Sequence, residues 1–220
     1  EKHIVPGNYL FENKMPVFEV ARRISKVDHH LLPVKVTITE GFNNFEISQA
    51  FSFKLTNFNQ TNFLKETSDR QGYLFPDTYF LLTTNNEDDV IRLMSENYEK
   101  KIIPFRPEIA QSGKTEKEII TMASIIEGEA KGNNDRGIIS GILWKRISLG
   151  MPLQVDVAPS TYKTKGLPDN PISNPGLESI KAAIHPTDSP YLYYLHDSAG
   201  IVHFARTFEE HKANKAKYLK

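Results

Sequence analysis

The sequence predicts an α+β protein built in two parts, residues 1–83 and 84–220. Three observations predict it: helical apolar spacing, clearest from Thr115 to Ala130; an alternating apolar and polar run at Val34–Thr39; and two aromatic or β-branched runs, Tyr191–Leu195 and Val202–Phe204, separated by Ser198-Ala199-Gly200. A chain of 220 residues can form one large domain or two small ones, and the cap-like sequence around Thr83–Asn86 puts the junction there.

Pro6-Gly7-Asn8 reads as a turn, and Pro16 then opens a helix carrying Val17, Val20, Ala21 and Ile24. The strand Val34–Thr39 turns at Glu40-Gly41 into a short helix with Ile47, Ala50, Phe51 and Leu55. Asn57–Ser68 reads as a short helix between loops. The aromatic stretch Gly72–Phe80 follows, in which Pro76 argues against an uninterrupted central strand. Thr84-Asn85-Asn86-Glu87 starts a helix with Val90, Ile91, Met94 and Tyr98 that stops near Pro104. Thr115 and Glu118 form a capping box ahead of a helix whose apolar stripe is Ile119, Met122, Ala123, Ile126 and Ala130. Gly132-Asn133-Asn134 breaks the chain, and Asp135 starts a helix with Ile138, Ile139, Ile142, Leu143 and Ile147, ended by Gly150. Met151–Gly176 has little periodicity and contains five prolines, which marks it as a functional segment. Leu177–Ile184 reads as a helix, the two carboxyl-terminal runs as a hairpin, and Thr207 with Glu210 as the capping box of a last helix.

Composition narrows the function. With 27 basic and 27 acidic side chains there is no net field to gather nucleic acid or anionic lipid. The absence of cysteine excludes a disulfide scaffold, a thiol nucleophile and a cysteine-ligated zinc site. No apolar run reaches the 18–20 residues or so of a membrane helix, and the first residues lack a signal-peptide pattern. Because the chain starts without methionine, the expectation is an excised portion of a longer protein whose upstream part carries an anchor or export signal.

Among candidate sites, Glu127 lies about 80° from Ile119 around the helix, on the margin of the apolar stripe, and Glu129 lies about 160° further round. Two diverging carboxyls cannot flank one glycosidic bond as a hydrolase dyad must. One glutamate acting alone is therefore expected. Glu127, half-buried beside isoleucines, would hold a proton near neutral pH as a general acid does. The alternative is a structural Glu127 paired with Lys131 or Arg136. His29-His30 are adjacent and point apart, His185, His203 and His211 are dispersed, and no H-E-x-x-H, G-x-S-x-G, P-loop or dinucleotide fingerprint occurs, so no metal and no organic cofactor is expected. Tyr73, in the aromatic stretch, can stack on a sugar or pack in the core. Gln154, Asp156, Tyr162 and Asn174 suit a polyhydroxylated substrate, or the backbone of a proline-rich loop.

Ordered blocks across Val34–Leu219 resemble one family. They are Ala123-Ser124-Ile125-Ile126-Glu127-Gly128-Glu129, the run from Gly141 to Asp156, Gly166-Leu167-Pro168, Pro171-Ile172-Ser173-Asn174-Pro175-Gly176, Tyr191-Leu192-Tyr193 and Glu209-Glu210-His211, with Gly72–Tyr79 and Thr37–Gly41 upstream. Together they resemble the YceG-like endolytic murein transglycosylases. The resemblance implies a LysM-like, glycan-associated domain at 1–83 and a catalytic domain at 84–220, in a bacterial envelope enzyme tethered by one amino-terminal helix at the extracytoplasmic face of the cytoplasmic membrane. It implies Glu127 as the one acid and base: it protonates the oxygen between N-acetylmuramic acid and N-acetylglucosamine, then helps the muramoyl C6 hydroxyl to close a 1,6-anhydro ring. Gln154, Asp156, Tyr162, Asn174 and Tyr73 are the expected substrate contacts. Peptidoglycan strands are the expected partner, with cell-wall synthesis proteins as further candidates, and no cofactor is needed. Two positions depart from the family pattern. Gln71 stands where glutamate is usual, and the segment between Asp156 and Pro159-Ser160-Thr161-Tyr162 is short, which implies a shorter cleft rim. The rival readings are a silent peptidoglycan-binding module, with Glu127 structural, and a hydrolytic muramidase.

Overall fold

A computed structural model describes residues 9–11, 13–28, 33–130, 132 and 135–219. The expected Pro6-Gly7-Asn8 turn, His29-His30 and Lys131 lie outside these residues. Helix α1 (Val17–Lys26) follows Pro16, as the fixed φ of proline favours, and buries no side chain. Strand β1 (Val34–Thr37) pairs antiparallel with β2 (Thr78–Leu81), Val36 opposite Tyr79, with helices α2 (Asn44–Ser52) and α3 (Gln60–Glu66) between them in sequence. Asn43 and Asn59 cap these helices by accepting the N–H of Glu46 and Asn62; such caps stabilise by about 1 kcal/mol each. The expected break at Pro76 is where β2 has not yet begun, and Leu74, Phe75 and Tyr79 face inward while Phe80 is exposed.

Helix α4 (Glu87–Ile102) then runs through both halves of the molecule. Val90, Ile91 and Met94 join the core of Val36, Ile47, Phe51 and Phe63, whereas Tyr98 and Ile102 join a second core around Ile119–Ile126. The expected junction near Thr83–Asn86 thus precedes a helix shared by two cores. The chain continues past Pro104 in a single 3-10 turn and a further helix, α5 (Arg106–Gln111), with Pro107 in its first turn, where a missing N–H costs nothing.

Helix α6 (Glu116–Glu129) has the expected reciprocal cap, Glu118 N–H to Thr115 Oγ1 at 3.2 Å and Thr115 N–H to Glu118 Oε2 at 2.7 Å. Its burial is wider than a stripe: every residue from Ile119 to Ile126 is buried. Helix α8 (Leu177–Ile184) and helix α7 (Arg136–Ser148) pack against it, so α6 is a central helix with apolar surroundings on all sides. Asp135 does sit at the start of α7, but its side chain caps nothing and turns to His196 at 3.3 Å. Strands β3 (Tyr193–His196) and β4 (Val202–Ala205) form the expected hairpin, Leu195 opposite His203. Helix α9 (Phe208–Tyr218) leans on that hairpin and buries no side chain fully. Thr207 caps it through Glu210 N–H, but Glu210 returns its carboxylate to Arg206 N–H at 2.7 Å, so the expected box is offset by one residue. None of the helices among the described residues is long and apolar enough to cross a membrane.

Candidate active site

The irregular segment 151–176 is held down at both ends. At its far end Asn174 is fully buried; its Oδ1 accepts from Gly72 N–H and Leu74 N–H at 2.9 and 3.0 Å, and its Nδ2 donates to Phe42 O and Asn44 Oδ1 at 2.9 and 3.0 Å. Four bonds exhaust the hydrogen-bonding capacity of a primary amide, so Asn174, expected to touch substrate, has no group left to do so. It ties the segment to the first core. Gln71 reinforces that tie, donating to Pro171 O at 3.1 Å and accepting from Asn44 N–H at 3.2 Å. A glutamate at 71 could not make the first of these bonds when ionised, which gives the departure from the family pattern a structural purpose. Tyr73 packs edge-on against Tyr98 with ring centroids 5.2 Å apart, outside the cleft described below.

The last turn of α6 presents its two glutamates to different surroundings. Glu127 faces α7, α8 and the Glu40-Gly41 turn. Its Oε2 accepts Gly176 N–H at 2.8 Å and its Oε1 lies 3.3 Å from Arg136 Nη2, with only 8% of the side chain accessible. The expected setting among isoleucines is replaced by a cation and a backbone donor, and Arg136 is the partner the structural alternative named. Arg136 is itself positioned by Ser179 Oγ at 3.1 Å. Glu40 presses its carboxyl on Gly176, where any Cβ would clash with it, and Gly41 approaches the Glu127 stem. Burial raises the Glu40 carboxyl above its usual range, the nearby Glu127 charge adds to this, and Arg136 opposes it.

Glu129 faces the other way, into a cleft of about 620 Å³ that also receives Gln154, Asp156, Tyr162, Tyr194 and Arg146; Glu127 is not among its lining residues. Glu129 Oε2 accepts the Tyr194 hydroxyl at 2.9 Å, and Val157 N–H lies 3.5 Å from Oε1. Asp156 Oδ1 accepts the Tyr162 hydroxyl at 2.6 Å. Burial, then the Glu129 charge, holds the Tyr194 phenol well above its ordinary pKa, so it stays a donor. Tyr162 is raised first by its bond to Asp156 and also by Glu129, which puts both carboxylates beside one phenol.

Local sequence explains why these groups meet. Leu153 and Val155 are buried while Gln154 and Asp156 are exposed, an alternation that turns the polar pair to the cleft. Thr161, 1% exposed, pins them: its Oγ1 accepts Val155 N–H at 3.1 Å and its carbonyl accepts Gln154 N–H at 3.2 Å. Gly128 lets the segment close on α6, since a Cβ there would lie 2.8 Å from Val157. Of the expected substrate contacts, then, Gln154, Asp156 and Tyr162 share a cleft with Glu129, whereas Asn174 and Tyr73 do not line it. Arg146, Tyr194 and His211 line it too and were not singled out from the sequence. Arg146 and His211 fall within the motif blocks quoted above, and Tyr194 directly follows Tyr191-Leu192-Tyr193, which is the signal that could have found them. No group of three or more His, Asp or Glu able to hold a metal ion occurs among the described residues.

The YceG-like family model matches residues 1–159 and 160–217. The endolytic murein transglycosylase of Bacillus subtilis (strain 168) is 33% identical over 172 residues, 68% of this chain and 48% of that protein. The endolytic murein transglycosylase of Streptococcus pneumoniae serotype 2 (strain D39 / NCTC 7466) is 28% identical over 177 residues, 68% of this chain and 32% of that protein. The chain thus matches about half of the first relative's length and about a third of the second's. The crystal structure of a YceG-like protein from Listeria monocytogenes superposes with a TM-score of 0.78 at 26% identity, covering 90% of this chain and 81% of that one. The chain belongs to the YceG-like family.

Proposed function

We propose that this chain is the reacting portion of a peptidoglycan lytic transglycosylase that cuts within glycan strands, and that the carboxyl doing so is Glu129 in place of Glu127. The observation that carries the reading is the cleft itself: Glu129 lines it, held among the described residues only by the neutral donors Tyr194 OH and, at 3.5 Å, Val157 N–H, with Gln154, Asp156 and Tyr162 beside it, while Glu127 does not line it and is paired with the Arg136 cation and Gly176 N–H. The names of the two relatives supply the reaction class. The family resemblance points to Glu127, the first glutamate of the signature block, whereas the side-chain environments favour Glu129, two residues on.

Protonated Glu129 gives its proton to the oxygen linking N-acetylmuramic acid to N-acetylglucosamine, and the bond from that oxygen to the muramoyl C1 breaks. The resulting carboxylate then takes the proton of the muramoyl C6 hydroxyl as its oxygen bonds to C1, closing a 1,6-anhydro ring and restoring the acid. The substrate supplies the nucleophile and the proton balance closes on one carboxyl. Tyr194 orients Glu129 and donates to it in its charged form. Gln154, Asp156 and Tyr162 hold the sugar hydroxyls. Acting on murein puts the chain outside the cytoplasmic membrane, tethered through an upstream segment.

Mass spectrometry of digested glycan strands tests this. Wild-type protein should release 1,6-anhydro ends and Glu129→Gln should release none while remaining folded. Reducing ends would make the enzyme a muramidase, no cleavage at all would favour a binding module, and loss in Glu127→Gln with activity kept in Glu129→Gln would return the role to Glu127.

A further inference from the structure

The cleft that Glu129 lines also carries positive charge that forms no ion pair among the described residues. Arg146 reaches it from α7 and is 6% exposed. Its Nη1 donates to Leu153 O at 2.9 Å and its Nη2 to Gln154 Oε1 at 3.2 Å, but its Nε is buried without a partner, and the guanidinium makes no ion pair among the described residues. A buried cation is ordinarily matched by a carboxylate, since desolvation otherwise penalises it heavily. Here Tyr193 offers only a ring face, 5.2 Å from the guanidinium carbon. The same ring stacks on the His211 imidazole, centroids 5.4 Å apart, and His211 Nδ1 is likewise buried and unpartnered. Lys215, one turn further along α9, lines the cleft beside them and has no ion pair among the described residues. All three groups line the cleft, and burial, then Lys215 and Arg146, holds His211 below its usual pKa, which leaves the imidazole neutral near pH 7. Among the described residues neither Glu129 nor Asp156 forms an ion pair with this charge; their hydrogen bonds go to Tyr194 and Tyr162.

We propose that Arg146, His211 and Lys215 form a subsite for a carboxylate carried by the substrate strand. The inference rests on the function proposed above only in taking a glycan strand as the occupant of the cleft. A glycan of N-acetylated sugars is itself uncharged, and the carboxylate comes either from the lactyl group of a peptide-free muramoyl residue or from a peptide attached to it. Lys215 and the imidazole meet the anion, and Arg146 supplies the buried charge behind them.

Binding is measured by calorimetry in a Glu129→Gln background, so that nothing is cut, with three probes: a peptide-free muramoyl-containing oligosaccharide, the same oligosaccharide bearing peptides, and a neutral N-acetylglucosamine oligomer. Lys215→Ala, on the surface, should weaken a carboxylate probe about threefold with the neutral oligomer unaffected, and Arg146→Gln should weaken a carboxylate probe about tenfold or more and the neutral oligomer much less, through the lost support of Gln154. Loss confined to the first probe identifies the lactyl group and loss confined to the second identifies the peptide. Should Arg146→Gln fail to fold, Lys215→Ala and the salt dependence of the parent still decide. Equal losses for charged and neutral probes, no loss for either variant, or no binding of either charged probe by the parent would overturn the subsite. Failure of the proposed reaction is read separately, as absence of cleavage by the wild type.

Discussion

Glu127 and Glu129 leave one turn of one helix and meet opposite chemistry. On the Glu127 side, three segments far apart in sequence converge: the Glu40-Gly41 turn, Arg136 at the start of α7 and Gly176 at the start of α8. All their polar groups face one another. On the Glu129 side, the extended segment around Gln154–Asp156 and the β3–α9 unit border a cleft, and the carboxyl meets a tyrosine hydroxyl, the Val157 N–H at 3.5 Å and open space. What separates the two is therefore the kind of neighbour, a cation in a closed setting for Glu127 and neutral donors beside a cleft for Glu129.

The strongest way to break this comparison is Glu129→Gln, which should lower anhydro-product formation by about 10²–10⁴-fold, the usual worth of a general acid and base, with an unchanged circular dichroism spectrum. An effect under tenfold would place the chemistry elsewhere. Next comes Asn174→Ala. It strips four hydrogen bonds and strands two buried N–H groups, and should destabilise by about 3 kcal/mol in urea unfolding. A loss below about 1 kcal/mol would mean that the two halves are joined by other contacts. Glu127→Gln keeps an acceptor for Gly176 N–H and loses the attraction of Arg136, so it should cost about 1 kcal/mol of stability and less than tenfold in rate. If it matched Glu129→Gln in rate, the division of roles would collapse.

The smallest effect concerns Glu40. Its carboxyl titrates above its ordinary value in the folded protein, so the folded state prefers the proton. The stability this gives is complete below the unfolded pKa and is lost as pH rises through the folded one. Glu40→Gln, which mimics the neutral acid, should therefore melt higher than the parent at pH 7 and at the same temperature near pH 4. Equal melting at both values would show that neither burial nor the Glu127 charge raises the Glu40 carboxyl in the folded protein.

Most helices, strand β1 and the β3–β4 hairpin were legible because each announces itself within a few residues, whereas β2 and its pairing with β1 were not. The Thr115 and Glu118 box, the alternation at Val34–Thr39 and the Ser198–Gly200 turn are local facts, and the structure has an element at each. Helix α5 escaped because Pro104 reads as a stop, while the Pro107 of its own first turn gives no start signal that periodicity detects. The stripe on α6 was read too narrowly: spacing counts apolar residues and misses that Thr121 and Ser124 are buried as well, one hydrogen-bonding to the other at 2.8 Å.

By itself the amino-acid sequence determined that this chain is an α+β protein of the YceG-like family, since family motifs and helix caps are written in neighbouring residues. Only the tertiary structure decided which glutamate of the Ala123–Glu129 block faces a cleft, that Asn174 and Gln71 bind the chain to itself, and that Arg146 is a buried charge with no counterion among the described residues. Each of those outcomes depends on which groups, 30 to 130 residues away, arrive within 3 Å or so of a given oxygen or nitrogen, and hydrogen-bond and ion-pair energies fall off over that same short range.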